Sequence, residues 1–208
     1  VGVHQAVEAD ERPGRPRGLV GPNAITRMAQ ALEAIEGPER CRAVFLRAGL
    51  AQALRTPPTD MVNEEDVAAL QAATFATLGT VRARAVCLEA GRLTGDYLLA
   101  NRIPHAAQRL LRWLPRSLAA RILVRAIARH AWTFAGSGRF SYRFSGGLKL
   151  SVEHSPLCRR IRCEQHACHY FAGTFARVFE GVLGPGVQVC ETACEAVGDP
   201  ACVFHVSW

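Results

Sequence analysis

The hydrophobic period of this chain changes once, at Trp132. Upstream, apolar residues recur at the three- and four-residue spacing of helices that bury one face; downstream they alternate residue by residue around glycine turns. Helices first and strands afterwards predict an α+β domain, with a helical N-terminal half followed by a small antiparallel β-sheet with a packed helix. At 208 residues, 49% hydrophobic, the chain is long enough to bury one ordinary core. Ample Leu, Ile, Val and Phe exclude a disordered or collagen-like chain. No uncharged run reaches the roughly 18 to 20 residues that span a bilayer.

Residues 1 to 22 are charged and rich in Pro and Gly, and read as a flexible arm without the apolar stretch of a signal peptide, so a cytoplasmic protein is expected. Asn23 is expected to cap a helix carrying Ile25, Met28, Leu32 and Ile35, closed by Gly37 and Pro38. A second helical stretch, residues 41 to 54, stops before Pro57 and Pro58. Asn63 followed by Glu64, Glu65 and Asp66 puts a cap and negative charge at the positive end of the next helix, which runs to Gly79. A longer helix follows over residues 80 to 101. Within it Gly91 and Gly95 would let another backbone approach closely, or are a cost tolerated in an Ala-rich helix. Pro104 and Pro115 break the pattern before an Arg-rich helical stretch. Beyond Trp132 a hairpin around Ser145-Gly146-Gly147, a helix over residues 164 to 183 and a second hairpin around Gly198-Asp199-Pro200 complete the chain. The units expected are the arm (1–22), a helical region (23–131) and the sheet-bearing core (132–208), the last two forming one compact body.

The net charge of +7 is unevenly placed. Residues 82 to 162 hold sixteen basic and three acidic side chains, between a mildly acidic start and an acidic end. All but one of the 25 basic residues are arginine, a bias that GC-rich codon usage also produces. The basic stretch has no helix-turn-helix or RNA-recognition signature, so no nucleic acid partner is expected. Arg interleaved with Leu and Ile over residues 109 to 129 fits peripheral membrane contact, and equally an ordinary solvated face.

Six of eight cysteines, Cys158, Cys163, Cys168, Cys190, Cys194 and Cys202, crowd into the last quarter. Cys194 and Cys202 flank a tight turn, Glu191 lies three residues before Cys194, and Cys168 would reach them from the adjacent helix. Three thiolates and a carboxylate suit a tetrahedral Zn²⁺, and four protein ligands would make it structural. Spacing leaves a competitor: Cys190 shares a strand face with Cys194, whereas Glu191 points the other way unless a bulge intervenes. Cys163, His166 and His169 are further candidates, and buried free thiols acting as small hydrophobes are the plain alternative.

The run CHYFAGTFARVFEGVLGPGVQVCETACEAVGDPACVFHVSW resembles the 4-vinyl reductase domain, and GRLTGDYLLANRIP with LLRWLPRSLAARILVRAIARHAWTFAGSGRF resembles the J-type bacteriochlorophyll biosynthesis members of the bacteriochlorophyll 4-vinyl reductase family. The resemblance covers about residues 23 to 208. It implies a fold similar to trafficking-complex ligand-binding domains, a zinc site of Cys168, Glu191, Cys194 and Cys202, and a homodimer. Cys158, Cys163 and Cys190 depart from that pattern.

The family name implies reduction of the 8-vinyl (older 4-vinyl) group of a divinyl protochlorophyllide-type tetrapyrrole. No G-x-G-x-x-G after a strand, P-loop or iron–sulfur spacing is readable. The expectation is therefore a carrier or accessory factor working with other bacteriochlorophyll biosynthesis enzymes, cytoplasmic or peripheral to the photosynthetic membrane. The alternatives are a reductase in its own right and a small-molecule sensor acting through a partner. A Mg-tetrapyrrole with a propionate wants an apolar slot, an arginine and an imidazole. Trp132, Phe134, Phe140 and Tyr142 are expected to form the slot, Arg125 or Arg129 to meet the carboxylate, and His130, then His105, to face the magnesium. A lone His beside aromatics and an Arg stripe at helical spacing equally describe an interface residue and a solvated face.

Overall fold

The computed structural model describes residues 18–208, so the expected arm lies outside the described residues up to residue 17. Its last residues are structured: strand β1 (Leu19–Val20) pairs antiparallel with β2 (Val62–Asn63), and Gly21 N donates to Thr133 O at 2.7 Å. Three short helices follow β1: α1 (Asn23–Glu36), α2 (Pro38–Arg47) and α3 (Ala51–Arg55). Ile25, Met28 and Leu32 of α1 are buried as their spacing predicts. Asn23 is not its cap; Pro22 holds that place and Asn23 lies in the first turn. The expected helix over residues 41 to 54 is two helices, because Gly49 turns the backbone left-handed (φ 76°) between them.

The central rod is α4 (Glu64–Asn101). Asn63 caps it, its Oδ1 accepting from Glu65 N at 2.9 Å, with Glu64, Glu65 and Asp66 in the first turn as predicted. Gly79 (φ 73°, ψ 165°) breaks the rod where one predicted helix was to end and the next begin. Against its second arm lies α8 (His169–Leu183), and here the glycines matter. A Cβ on Gly91 would sit 2.1 Å from Tyr170 O, and one on Gly173 of α8 would sit 2.4 Å from Leu88 O. The two helices thus meet backbone to backbone, and Thr94 Oγ1 bonds Tyr170 OH at 2.7 Å inside the contact.

Between them in sequence run α5 (His105–Trp113), α6 (Arg116–Arg129) and the single turn α7 (Trp132–Ala135), each break set by Pro104, Pro115 or the His130–Ala131 corner. The strand period therefore begins a few residues later than Trp132. Strands β3 (Arg139–Phe144), β4 (Leu148–Glu153), β5 (Gln188–Ala193) and β6 (Cys202–Ser207) form one antiparallel sheet in the order β3-β4-β6-β5. Both predicted hairpins are present, and the α+β reading holds. The inner face, with Phe140, Leu148, Leu150, Val152, Phe204 and Val206, is buried against the aromatic side of α8. The helix begins at His169 rather than 164. Cys163 N is drawn to Ala196 O (3.0 Å) and Ala167 N to Cys194 Sγ (3.3 Å), so residues 163–168 are spent on contacts that a helix would forbid.

Candidate metal centre

Four buried thiols meet at the end of the sheet nearest the start of α8. Cys158 lies in the loop after β4, held in a tight turn in which its N–H bonds Ser155 O (3.1 Å) and its carbonyl accepts from Ile161 N (3.0 Å). Cys168 immediately precedes α8, Cys194 ends β5 and Cys202 opens β6. The ligand atoms of these four all lie within 4.8 Å of one another. Measured sulfur pairs run from 2.9 Å (Cys158 to Cys168) and 3.1 Å (Cys168 to Cys202) to 3.6 Å (Cys158 to Cys194 and to Cys202) and 4.0 Å (Cys202 to Cys194). A tetrahedron of thiolates on Zn²⁺ at about 2.3 Å places its sulfurs about 3.8 Å apart, so the four fit such an ion with small adjustments.

The backbone prepares the cluster for negative charge. Ala167 N donates to Cys194 Sγ and Glu195 N to Cys202 Sγ (3.4 Å). Hydrogen bonds from Cys158, Cys168 and Cys202 pull the Cys194 thiol well below its ordinary value, while burial pushes Cys168 up. One proton-poor sulfur among protonated neighbours is the state a divalent soft cation would complete by displacing the remaining protons.

Glu191 borders the cluster, and the strand shows how. The β5–β6 register slips between Glu191 and Ala193, a bulge that leaves Thr192 unpaired and brings the Glu191 carboxylate inward while Cys190 stays exposed. Glu191 Oε2 accepts from Cys168 N at 3.1 Å, whereas Oε1 is buried without a partner. Burial first, then the charge of Cys194 and Cys202, pushes this carboxyl up to about 10. Of the four residues expected as ligands, Cys168, Cys194 and Cys202 come together as a set; the fourth thiol is Cys158, which spacing alone did not single out. Cys163 turns to Gln165 O (2.7 Å), and His169 is buried, its imidazole pushed down to about 4 by burial and by Arg84.

The loop that delivers Cys158 is clamped by two carboxylates that sequence reading missed. Glu195 accepts from the N–H groups of His154, in the left-handed region at φ 54°, and of Ser155. Glu64, nearly buried, accepts from Arg159 Nη1 (2.6 Å), Ser137 Oγ (2.6 Å) and Ser137 N (2.7 Å). Burial raises the Glu64 carboxyl, but these bonds outweigh it and hold it below the usual range. Gly136 is needed beside it, at φ 60°, because a Cβ there would fall 2.0 Å from Glu64 Oε2. The cap pattern explained Glu64 by itself, so nothing along the chain pointed to its tertiary partners.

The residues expected to line a pigment slot separate into two groups. Phe140 is fully buried and Tyr142 nearly so; the Phe140 ring meets Phe134 at 5.4 Å and Phe175 at 6.3 Å, and Phe134 also meets Phe171. These rings fill their own space as core between sheet and α8, so they do not form an open slot. Arg125 and Arg129 are exposed on α6, and His130 is exposed at its end with Nδ1 2.9 Å from Ala126 O. Trp132 and Phe134 are half-buried on α7, between the two groups. His105, the second choice, is exposed at the start of α5.

Residues 148–207, which contain the four thiols, match the 4-vinyl reductase domain. Over 187 residues the chain is 41% identical to the bacteriochlorophyll synthase 23 kDa chain of Cereibacter sphaeroides, covering 90% of this chain and 89% of that one. The chain belongs to the family of the bacteriochlorophyll synthase 23 kDa chain. The Rhodobacter capsulatus protein of the same name is 36% identical over 187 residues, with 89% and 85% covered. Among solved structures, the phenol-responsive sensory domain of the transcription activator PoxR, with phenol, superposes with a TM-score of 0.51 at 15% identity over 71% of this chain and 77% of that one. That likeness shows a shared fold for the 23 kDa family and the sensory domain.

Proposed function

We propose that this chain is an accessory protein of bacteriochlorophyll biosynthesis that carries a divinyl protochlorophyllide-type tetrapyrrole to the enzyme reducing its 8-vinyl group. The observation that carries the pathway is the 41% identity, over nine-tenths of both chains, to a protein named as a chain of bacteriochlorophyll synthase. Other enzymes of that pathway are then its partners.

Support for the pigment comes from the corner between α6 and α7. The Ala126 carbonyl can only accept, so His130 Nδ1 carries the proton and Nε2 keeps a lone pair, with no bond to it among the described residues. Half-buried Trp132 and Phe134 offer an apolar edge beside it, and Arg129 a carboxylate partner. In this reading the macrocycle lies over the edge of the aromatic cluster, because the cluster's interior is filled. Cys158, Cys168, Cys194 and Cys202 would hold Zn²⁺, which supplies a cross-link with no position open to a reactant. The thiols tie the β4 loop, the start of α8 and both strands of the second hairpin.

Titrating the purified protein with divinyl protochlorophyllide tests the reading. The Soret band is expected to shift on binding, and His130→Ala to weaken binding about tenfold, the loss of one good contact. An unchanged pigment spectrum at every protein concentration would contradict it.

A further inference from the structure

Helices α5 and α6 pack inward through Gln108, Leu111, Ala119, Ala120, Leu123 and Val124, so their opposite faces look away from α8. Those outer faces are unusual. Of the eight large hydrophobic side chains exposed among the described residues, four lie within this short stretch: Leu110 (65%), Trp113 (88%), Leu118 (45%) and Ile122 (42%). Leu110 and Trp113 are three apart on α5, Leu118 and Ile122 four apart on α6, so each pair shares a helical face.

The charge around them has one sign. Residues 97 to 152 contain no Asp or Glu and ten basic residues. Arg112 and Arg116 are used structurally, donating to Gly181 O (2.7 Å) and Pro185 O (3.1 Å), and Arg121 stacks on the Phe144 ring at 4.3 Å. Arg109, Arg125 and Arg129 have no hydrogen-bond or ion-pair partner among the described residues. A second copy of this face would meet it with like charge. An anionic partner is required, and one that also takes up projecting Trp and Leu side chains while arginine stems lie along it.

We infer that the outer face of α5 and α6 docks on an anionic lipid bilayer. Trp113 and Leu110 enter the headgroup boundary, and Arg109 and Arg125 meet lipid phosphates. No helix among the described residues is long and apolar enough to cross a membrane, so this is contact with the surface. The inference rests on α5 and α6 alone, and it is independent of pigment carriage.

The test is flotation of the full chain with vesicles of phosphatidylcholine alone and of phosphatidylcholine with phosphatidylglycerol. The chain is expected to float with the anionic vesicles only, to be released by salt, and to show a blue shift of tryptophan emission that Trp113→Phe abolishes. Leu110→Ser with Trp113→Ser should stay in the aqueous phase. Arg109→Gln and Arg125→Gln should each weaken binding about fivefold. All four side chains are exposed, so an unchanged circular dichroism spectrum and melting profile confirm that the variants fold. Equal recovery on neutral and anionic vesicles, or flotation of the serine variant like the parent, would overturn the inference. So would failure to float while an acidic biosynthesis protein binds the parent and not the serine variant, which makes this face a protein interface. Because no pigment is added, failure here leaves pigment carriage untouched.

Discussion

At the scale of single residues, Cys158 and Glu191 exchange the places that spacing suggests. Both lie against the cluster, but only Cys158 brings its donor atom within reach of all three other thiols. The expected metal content is about one zinc per chain in the parent protein, lost in Cys158→Ser and Cys194→Ser and kept in Glu191→Gln. Elemental analysis decides this, and retention by Cys158→Ser with loss in Glu191→Gln would restore the carboxylate as ligand. Three of the four thiols were legible because a hairpin turn and an adjacent helix are local patterns. The fourth depends on a loop folded by Glu195 and Arg159, contacts that span forty and more residues. Glu64 gives a second prediction at this scale. Its carboxyl is held below the unfolded value of about 4.3, so its contribution is present above that pH and lost as pH falls through the folded value. Glu64→Gln should cost about 2 kcal/mol near neutrality, and denaturant unfolding should show the gap closing in acid.

At the scale of elements, the contact between α4 and α8 decides the architecture. Gly91 and Gly95 four apart announced a close approach, and α8 answers with Gly173 and with the stem of Arg177. Gly91→Ala would place a methyl 2.1 Å from a backbone carbonyl that cannot step aside. We expect destabilisation of about 3 kcal/mol in urea unfolding, the upper end for overpacking. An alanine variant as stable as the parent would mean that the helices can part at no cost. Helix ends were less legible than helices. Pro22 took the cap expected of Asn23, and α8 starts late because residues 163–168 serve the cysteine cluster, a tertiary demand that helical periodicity does not carry.

For the whole molecule, the thiol cluster and the pigment corner lie in different parts of the fold. The cluster fastens the β4 loop and the second hairpin to the start of α8, and the corner sits where α6 turns into α7. Removing the metal with a chelator should therefore lower the melting temperature clearly, since binding to a site absent from the unfolded chain is folding free energy. A melting profile unmoved by chelation would mean that the thiols carry no structural ion. The aromatic run that suggested a pigment slot proved to be core, because periodicity shows which residues are apolar and not whether their rings leave a gap. The central claim is that this chain holds a divinyl tetrapyrrole and leaves its reduction to another protein. One measurement tests both halves: purified chain, divinyl protochlorophyllide and reduced nicotinamide followed by absorbance and by chromatography of the pigment. Binding is predicted, with a shifted Soret band and all pigment recovered as the divinyl form. Recovery of the reduced, monovinyl pigment with no other protein added would contradict the account, as would pigment that never binds.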